Sequence, residues 1–220
     1  MAFPRGGGGS GGQPSATVWH PPNTIDNVIP SGLIYDYEFG ATTTSPPSGW
    51  SWVNQGSATY SEALRGGALS LATGSGFGLS FIAQSIPSGS SIVTAKLLLG
   101  CQNLTSVNAG LVFYDSVSTK LSILGINYAG SVVIIEATSP TVYSANPLSV
   151  NPSVSPLYFQ VDYGSLSAVT FSYSADGQTW IAADSAYDMS AHVTPNSIGF
   201  GIDNERAGDV GLTCCFFRVS

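Results

Sequence analysis

Short apolar runs separated by turn-forming residues fill the chain from residue 31 onward, and they constrain its fold more than any other feature. At 33–39, large apolar residues alternate with acidic ones, which indicates a half-buried strand. The runs at 110–114, 121–126 and 132–135 are short and largely apolar, and they are separated by Gly, Asn, Ser and Asp. No long segment has the 3.6-residue apolar spacing of a helix. About thirteen short strands with regular turns predict an all-β sandwich or jelly roll.

Two turns are recognisable from their residue types. Asp176-Gly177 lies between two strand patterns, and Asp-Gly favours tight hairpins because glycine accepts a positive φ without a steric penalty. Trp180, directly after this hairpin, is expected in the core. A Gly-Ser-Gly turn predicts a second hairpin that joins 68–71 to 77–82.

The first thirty residues have a different character. A glycine-rich stretch at 6–12 is typical of a flexible linker, and the prolines that follow favour extended backbone. The chain is therefore predicted to divide into a Gly/Pro-rich arm at 1–30 and a β-sandwich at 31–220. The arm is either a disordered tail or an anchor that becomes ordered on a partner. The residues that would anchor it are Phe3, Arg5, Val18, Trp19 and Ile25.

Composition excludes several classes of function. Only 9% of residues are charged, six are Lys or Arg, and the net charge is −7, so clustered basic residues for a nucleic-acid backbone are missing. No apolar run has the length of a membrane helix, and we expect neither membrane insertion nor a secretory signal. Cys101, Cys214 and Cys215 do not describe a disulfide framework, so we expect structural thiols, one of the adjacent pair facing the core, and synthesis in a reducing cytoplasm.

Five motifs occur in an order that resembles a known fold. They are Ala109-Gly110-Leu111-Val112-Phe113, the run at 157–161, the Asp-Gly hairpin of 171–180, Ile198-Gly199-Phe200-Gly201 and the run at 216–219. Residues 33–219 are similar to concanavalin A-like (laminin G-like) jelly rolls, and more specifically to the C-terminal accessory β-sandwich of some family 43 glycosidases. These motifs are structural, so the resemblance implies a fold and a tendency towards glycan or surface binding, without a particular activity.

Catalytic signatures are missing from the sequence. The resemblance implies that a glycosidase on this jelly roll carries a Glu-x-Asp-x-x-Glu strand, whereas Asp36 and Glu38 lack the third carboxylate. We expect these two side chains to be solvated. His20 and His192 stand without a Gly-x-Ser-x-Gly nucleophile motif. The chain is therefore predicted to have no catalytic residues and no cofactor.

Aromatic residues are the candidate glycan contacts. Trp50 and Trp52 are two residues apart on one strand-like face, where they either stack on sugar rings or pack in the core. Tyr128, Tyr143 and Tyr187 lie in predicted loops and are candidates for an exposed contact surface. Exposed aromatics on the concave sheet would favour carbohydrate binding.

One loop is a candidate calcium site. Asp203, Glu205 and Asp209 lie close together, and calcium prefers carboxylate oxygens from loops. The alternative is that these residues only keep a turn soluble. We therefore predict no metal site of Cys and His type and leave calcium as an open alternative.

Two functional hypotheses follow. The first is a non-enzymatic virion protein of a tailed phage, because the arm resembles an attachment segment of a fibre or decoration protein. It would be made in the host cytoplasm, bind other virion proteins through 1–30, form a homotrimer by analogy with fibres, and present a sandwich able to bind a host-surface glycan. The second is a carbohydrate-binding module of a polysaccharide-acting system.

Overall fold

The computed structural model describes residues 35–38, 44–63, 66–71, 78–101, 107–204 and 210–220. The predicted arm at 1–30, with its five anchoring residues, lies outside these ranges, so the arm and its boundary remain predictions. No described helix is long and apolar enough to cross a membrane. The described residues form fifteen strands and one 3-10 helical turn, Met189–Ala191. The all-β prediction is confirmed.

In chain order, the strands are β1 (Tyr35–Glu38), β2 (Ser51–Val53), β3 (Thr59–Ala63), β4 (Gly66–Leu71), β5 (Leu79–Ser85), β6 (Ile92–Cys101), β7 (Val107–Tyr114), β8 (Leu121–Asn127), β9 (Val132–Ser139), β10 (Val142–Val150), β11 (Tyr158–Asp162), β12 (Val169–Ser174), β13 (Ile181–Tyr187), β14 (Ser197–Asn204) and β15 (Val210–Val219). Sheet A has eight strands. Seven of them lie in the order β13-β12-β11-β6-β15-β4-β3, and the eighth, β1, pairs with β15. Sheet B has seven, in the order β10-β9-β8-β7-β14-β5-β2. All described pairings are antiparallel, as in a jelly roll.

The main hydrophobic core lies between the two sheets. Alternate side chains of a strand point to opposite faces, and the inward ones meet here. The largest fully buried side chains of this core are Phe113, Phe159, Phe171, Phe200 and Phe217. The inward-facing positions of both sheets therefore supply one shared core.

Sheet B also buries the face that points away from this core. Its outward residues form a second cluster, with Leu79, Phe81, Val112, Ile123 and Val133 fully buried. Burial on both faces explains why several strands of this sheet are continuously apolar in sequence rather than alternating.

Sheet B curls over this outward face. The main-chain N–H of Leu79 donates to the carbonyl of Pro140 at 2.8 Å, although three strands separate β5 from β9 in the sheet. Gly125, Gly110 and Gly201 pair with one another across β8, β7 and β14 on the same face. A Cβ added at Gly125 would overlap the backbone of β7. Glycine is therefore required where the neighbouring backbones approach most closely.

The Asp176-Gly177 hairpin is confirmed, with a wider loop than expected. β12 and β13 are antiparallel, and Gly177 has φ of 75°. The connection runs from 175 to 180, and the Asp176 carboxylate accepts hydrogen bonds from the N–H groups of Thr179 (2.9 Å) and Gln178 (2.8 Å). Trp180 is partly exposed, because it lies in this loop and not in the core.

The second predicted hairpin is wrong. β4 pairs with β3 and β15 in sheet A, whereas β5 pairs with β2 and β14 in sheet B. The segment between them therefore passes from one sheet to the other. A glycine-rich turn sequence does not specify whether the strands on either side become partners.

Acid is expected to loosen the β12–β13 loop. Hydrogen bonds from Thr179, Gln178 and Ser174 lower the pKa of Asp176 to about 2. Because this pKa is lowered, the ionised carboxylate stabilises the fold at pH values above the ordinary pKa of 3.8. This contribution is lost as the pH falls towards 2. The amide resonances of Thr179 and Gln178 should titrate with a midpoint near 2, and Asp176→Asn should abolish this titration. A midpoint near 4 would contradict the hydrogen bonding.

Candidate functional site

A groove of about 220 Å³ lies on the outward face of sheet B, at one end of the sheet. It crosses β2, β5, β14 and β7, near the last residues of β5 and β7 and the first residue of β14. None of its lining side chains is charged. Strand alternation explains the lining, because Ser51 and Val53 on β2 and Ala83 and Ser85 on β5 point to the same face.

The groove has an apolar floor and a hydroxyl-bearing rim. Val53, Ala83 and Tyr114 belong to or pack against the second apolar cluster. The four rim serines come from four separate segments and are Ser51, Ser85, Ser116 and Ser197. A ligand with both apolar faces and hydroxyl groups matches this lining.

Tyr114 is the aromatic residue of the groove. Only 9% of its surface is exposed, and its ring packs edge-on against Phe81, with the ring centroids 5.3 Å apart. Its hydroxyl makes no hydrogen bond within the described part of the chain and is available to a ligand. Tyr114 therefore offers an oxygen and a ring edge, and it does not offer an open stacking face.

Asn196 joins two serines of the rim. Its side-chain amide nitrogen donates to Ser116 Oγ at 2.9 Å, and its Oδ1 accepts from the Ser116 N–H at 3.2 Å. The same Oδ1 accepts from Ser197 Oγ at 3.0 Å. These three bonds hold the turn after β7 against the start of β14.

The turn that carries Ser116 is fixed from its other side by Asp115. The carboxylate accepts from the Ser118 hydroxyl at 2.6 Å and from the Val117 N–H at 2.8 Å. These two bonds, the Ser118 bond first, lower the pKa of Asp115 below its ordinary value. The rim is therefore held on an ordered turn.

The two predicted tryptophan contacts pack against the main core. Trp50 is 6% exposed, and its ring contacts those of Phe200 and Phe217 with centroid distances of 5.7 Å and 5.0 Å. Trp52 is partly buried and packs against the same core. Of the two alternatives that the sequence left open for Trp50, the structure shows core packing, because the ring lies between the two sheets.

The three predicted tyrosines are not brought together. Tyr128 and Tyr143 are 47% and 46% exposed. Tyr128 lies in the turn before β9, whereas Tyr143 pairs with Ala137 near the other end of that strand. They cannot share one sugar ring, because a strand advances about 3.3 Å per residue. Both remain predicted contacts. The expectation of an exposed Tyr187 is corrected, because Tyr187 is 7% exposed.

Tyr187 belongs to a polar cluster at the edge of the main core. Its hydroxyl donates to Glu136 Oε1 at 2.9 Å and lies 3.1 Å from Ser122 Oγ. Burial raises the pKa of Tyr187, which therefore stays protonated. His192 Nε2 lies 3.1 Å from the carbonyls of Leu121 and Ala137, and its Nδ1 lies 3.8 Å from Glu136 Oε2. The cluster fastens the 3-10 turn to sheet B and is separate from the groove.

Asp203 is the one described residue of the predicted calcium site, and its carboxylate already accepts hydrogen bonds from protein groups. Asp203 is fully buried and accepts from the Gly78 N–H at 2.9 Å and from the Asn108 side-chain amide at 3.2 Å. Glu205 and Asp209 lie outside the described residues. Within the described ranges, no three His, Cys, Asp or Glu residues are grouped to hold a metal ion.

Of the two adjacent cysteines, Cys214 packs in the main core, as expected for one of the pair. Cys214 is buried, and burial raises its pKa well above the ordinary value; Cys215 is half-buried, with a pKa raised by the same cause. In the folded protein at neutral pH, we expect iodoacetamide to leave Cys214 unmodified and to modify Cys215 more slowly than a free thiol. Both should react in urea. Fragment-ion mass spectrometry separates them, and alkylation of Cys214 before unfolding would contradict its burial.

Sequence reasoning missed the groove because the polar residues that line it are serines, Gln84 and Tyr114, while Asn196 only bonds to two of the serines. These residue types are common throughout the chain and carry no spacing signal. Only the register of β5, β14 and β7 brings them together.

The sequence matches no protein-family model and no curated protein, but solved structures share its fold. A mutant form of the GH43 protein BlXynB from Bacillus licheniformis has a TM-score of 0.61 at 17% identity, over 84% of this chain and 38% of that chain. Xylan beta-1,4-xylosidase from Bacillus halodurans C-125 has a TM-score of 0.56 at 14% identity, over 84% of this chain and 38% of that chain. The Bacillus licheniformis beta-glucanase has a TM-score of 0.51 at 13% identity, over 87% of this chain and 99% of that chain.

These likenesses confirm the concanavalin A-like jelly-roll fold. The chain spans only 38% of the length of the GH43 protein BlXynB and of the xylosidase, which agrees with the predicted resemblance to one accessory β-sandwich. Identities of 13–17% establish the fold alone. They leave the phage hypothesis untested.

Proposed function

We propose that this chain is a non-catalytic carbohydrate-binding β-sandwich that takes a neutral glycan in the groove of sheet B. The observation that carries the proposal is the combination of an apolar floor, a rim of four serine hydroxyls and no charged lining residue. Sugar rings have apolar C–H faces and hydroxyl edges, so they match both parts of this lining. Uronic acids and phosphorylated sugars would find no cation there.

The lining also supports binding without hydrolysis. Glycoside hydrolysis generally requires two carboxyl groups flanking the scissile bond, about 5 to 9.5 Å apart. The groove contains none. Glu136 is separate from the groove and accepts the hydrogen bond of Tyr187.

The size of the groove limits the ligand. Its volume of about 220 Å³ lies below the roughly 300–1,000 Å³ of ordinary small-molecule pockets. It therefore engages one or two sugar units of a chain. The proteins of similar fold named as xylosidase and beta-glucanase support only the choice of polysaccharides to test first.

Affinity electrophoresis of the full chain tests this proposal. We expect gels containing arabinoxylan, mixed-linkage β-glucan, levan or dextran to retard the protein in at least one case, and polygalacturonate to have no effect. If the protein is shown to be folded and none of the neutral gels retards it, the proposal is overturned.

A variant that fills the groove should abolish this binding. Ser85 is exposed and points into the groove, so Ser85→Trp occupies the ligand volume without entering the core. We expect at least about a tenfold loss of affinity, since the indole displaces the sugar. Ala175→Trp, at an exposed position of the β12–β13 loop, is the matched control and should bind normally. Equal binding by both variants would locate the ligand elsewhere, with Tyr128 and Tyr143 the next surfaces to test.

The tailed-phage virion role remains a prediction from sequence. It depends on residues 1–30, on virion partners and on trimer formation, and it is compatible with a sandwich that binds a host-surface glycan. Binding of the full chain and of a variant lacking 1–30 to purified particles would distinguish an anchoring arm from a tail without function.

A further inference from the structure

We propose that Ser116 and Ser197 form a donor–acceptor pair that recognises one hydroxyl group of the bound glycan, and that Asn196 is the positioning residue that sets this polarity. The inference rests on the proposed function of the groove and deepens it. Both serines line the groove, and Asn196 contacts both of them.

The orientation of the Asn196 amide follows from one main-chain bond. The Ser116 N–H lies 3.2 Å from Asn196 Oδ1, and a main-chain N–H can only donate. The acceptor must be the oxygen of the amide, because the NH₂ group has no lone pair to offer. The NH₂ group therefore faces Ser116 Oγ at 2.9 Å and donates to it.

This orientation makes the two hydroxyls chemically different. Ser116 Oγ accepts from Asn196, so its own proton is free for a ligand acceptor. Ser197 Oγ donates its only proton to Asn196 Oδ1, so it can only accept from a ligand. A sugar hydroxyl both donates and accepts, which satisfies the pair. An ether or carbonyl oxygen only accepts, and it would leave Ser197 without a partner.

The pair is held in place before a ligand arrives. The Asn196 N–H donates to the Tyr114 carbonyl at 3.0 Å, and the Ile86 N–H donates to the Asn196 carbonyl at 3.1 Å. Asp115 fixes the turn that carries Ser116. Groups that are already oriented lose less entropy on binding, so the polarity of the pair contributes to affinity.

Asn196→Asp tests the polarity without changing the shape. A carboxylate still accepts hydrogen bonds from the Ser116 N–H and from the Ser197 hydroxyl, but it cannot donate, so the Ser116 hydroxyl donates to it instead. Ser116 then has no proton for the ligand. We expect Asn196→Asp and Ser116→Ala each to weaken glycan binding about five- to tenfold, the effect of one lost hydrogen bond. The double variant should bind no more weakly than either single variant, because both changes remove the same contact.

Asn151→Asp is the matched control. Asn151 is exposed, accepts a hydrogen bond from Ser131 and lies outside the groove. The substitution therefore adds the same negative charge at a position away from the groove. The affinity of Asn151→Asp for the polysaccharide that retards the unmodified chain should equal the affinity of the unmodified chain. Thermal melting of every variant reports whether the fold is kept, and Ser197→Ala gives a second, uncharged test with the same expected loss.

The outcomes separate this inference from the proposed function. If Ser85→Trp abolishes binding while Asn196→Asp, Ser116→Ala and Ser197→Ala bind normally, the groove is the site and the donor–acceptor pair is overturned. The pair is also overturned if the double variant loses the product of the two single effects. If no neutral polysaccharide retards the unmodified chain, the proposed function fails and this inference fails with it.

Discussion

Gly125→Ala is expected to destabilise the protein by about 3 kcal/mol or more, the upper end of the effects of overpacking. The added Cβ would overlap the Ala109 carbonyl oxygen on β7. It would also press on Gly110, the residue directly opposite, which is itself only tolerable as glycine. Both obstacles are backbone in the middle of a sheet, so no side chain can rotate away. Relief requires the two strands to separate, which would open the curl of sheet B.

Gly164→Ala is the control for this prediction. A Cβ there would meet only Ser91 Cβ at 3.2 Å and Asp162 Oδ1 at 3.3 Å, both in side chains. We expect a change of less than about 1 kcal/mol. Urea denaturation followed by far-UV circular dichroism measures both variants. Equal midpoints for Gly125→Ala and the unmodified chain would mean that the strands do not approach as closely as the structure shows.

The strands were predictable where local sequence determines burial. The largely apolar run at 121–126 and the continuously apolar run at 132–135 became β8 and β9, because both faces of sheet B are covered. Strand partners were less predictable. The Gly-Ser-Gly segment after β4 looks like a hairpin turn, yet β4 and β5 belong to different sheets. That choice depends on pairing with β15 and β14, which lie more than a hundred residues later in the chain.

The candidate site was not predictable for a similar reason. Aromatic residues were the predicted sugar contacts, because aromatic rings can stack on sugar rings. In the structure, Trp50 packs in the core and the Tyr187 hydroxyl donates to Glu136. The groove depends on Ser116 and Asn196, which are eighty residues apart and adjacent only because β7 pairs with β14. Serine and asparagine in a turn are equally typical of a loop that keeps the backbone soluble.

Trp50→Ala is expected to cost about 3–5 kcal/mol, the usual range for removing a buried tryptophan or phenylalanine. The ring lies between Phe200 on sheet B and Phe217 on sheet A, with edge-on geometry at interplanar angles of 62° and 81°. Its removal takes away a contact that joins the two sheets and leaves a cavity that neither sheet can close without shifting against the other. The loss should appear as a lower midpoint in urea with an unchanged slope, since the surface exposed on unfolding changes little.

Tyr128→Ala is the matched aromatic control. Tyr128 is 47% exposed and lies in a turn, so its removal should change stability by less than about 0.5 kcal/mol. A comparison of the two variants also bears on function. If Trp50→Ala were as stable as Tyr128→Ala, the indole would not be packed between the sheets, and Trp50 would again be a candidate for stacking on sugar. If the two differ by several kcal/mol, any loss of glycan binding in Trp50→Ala reflects the fold, and only groove variants that keep their stability report on the site.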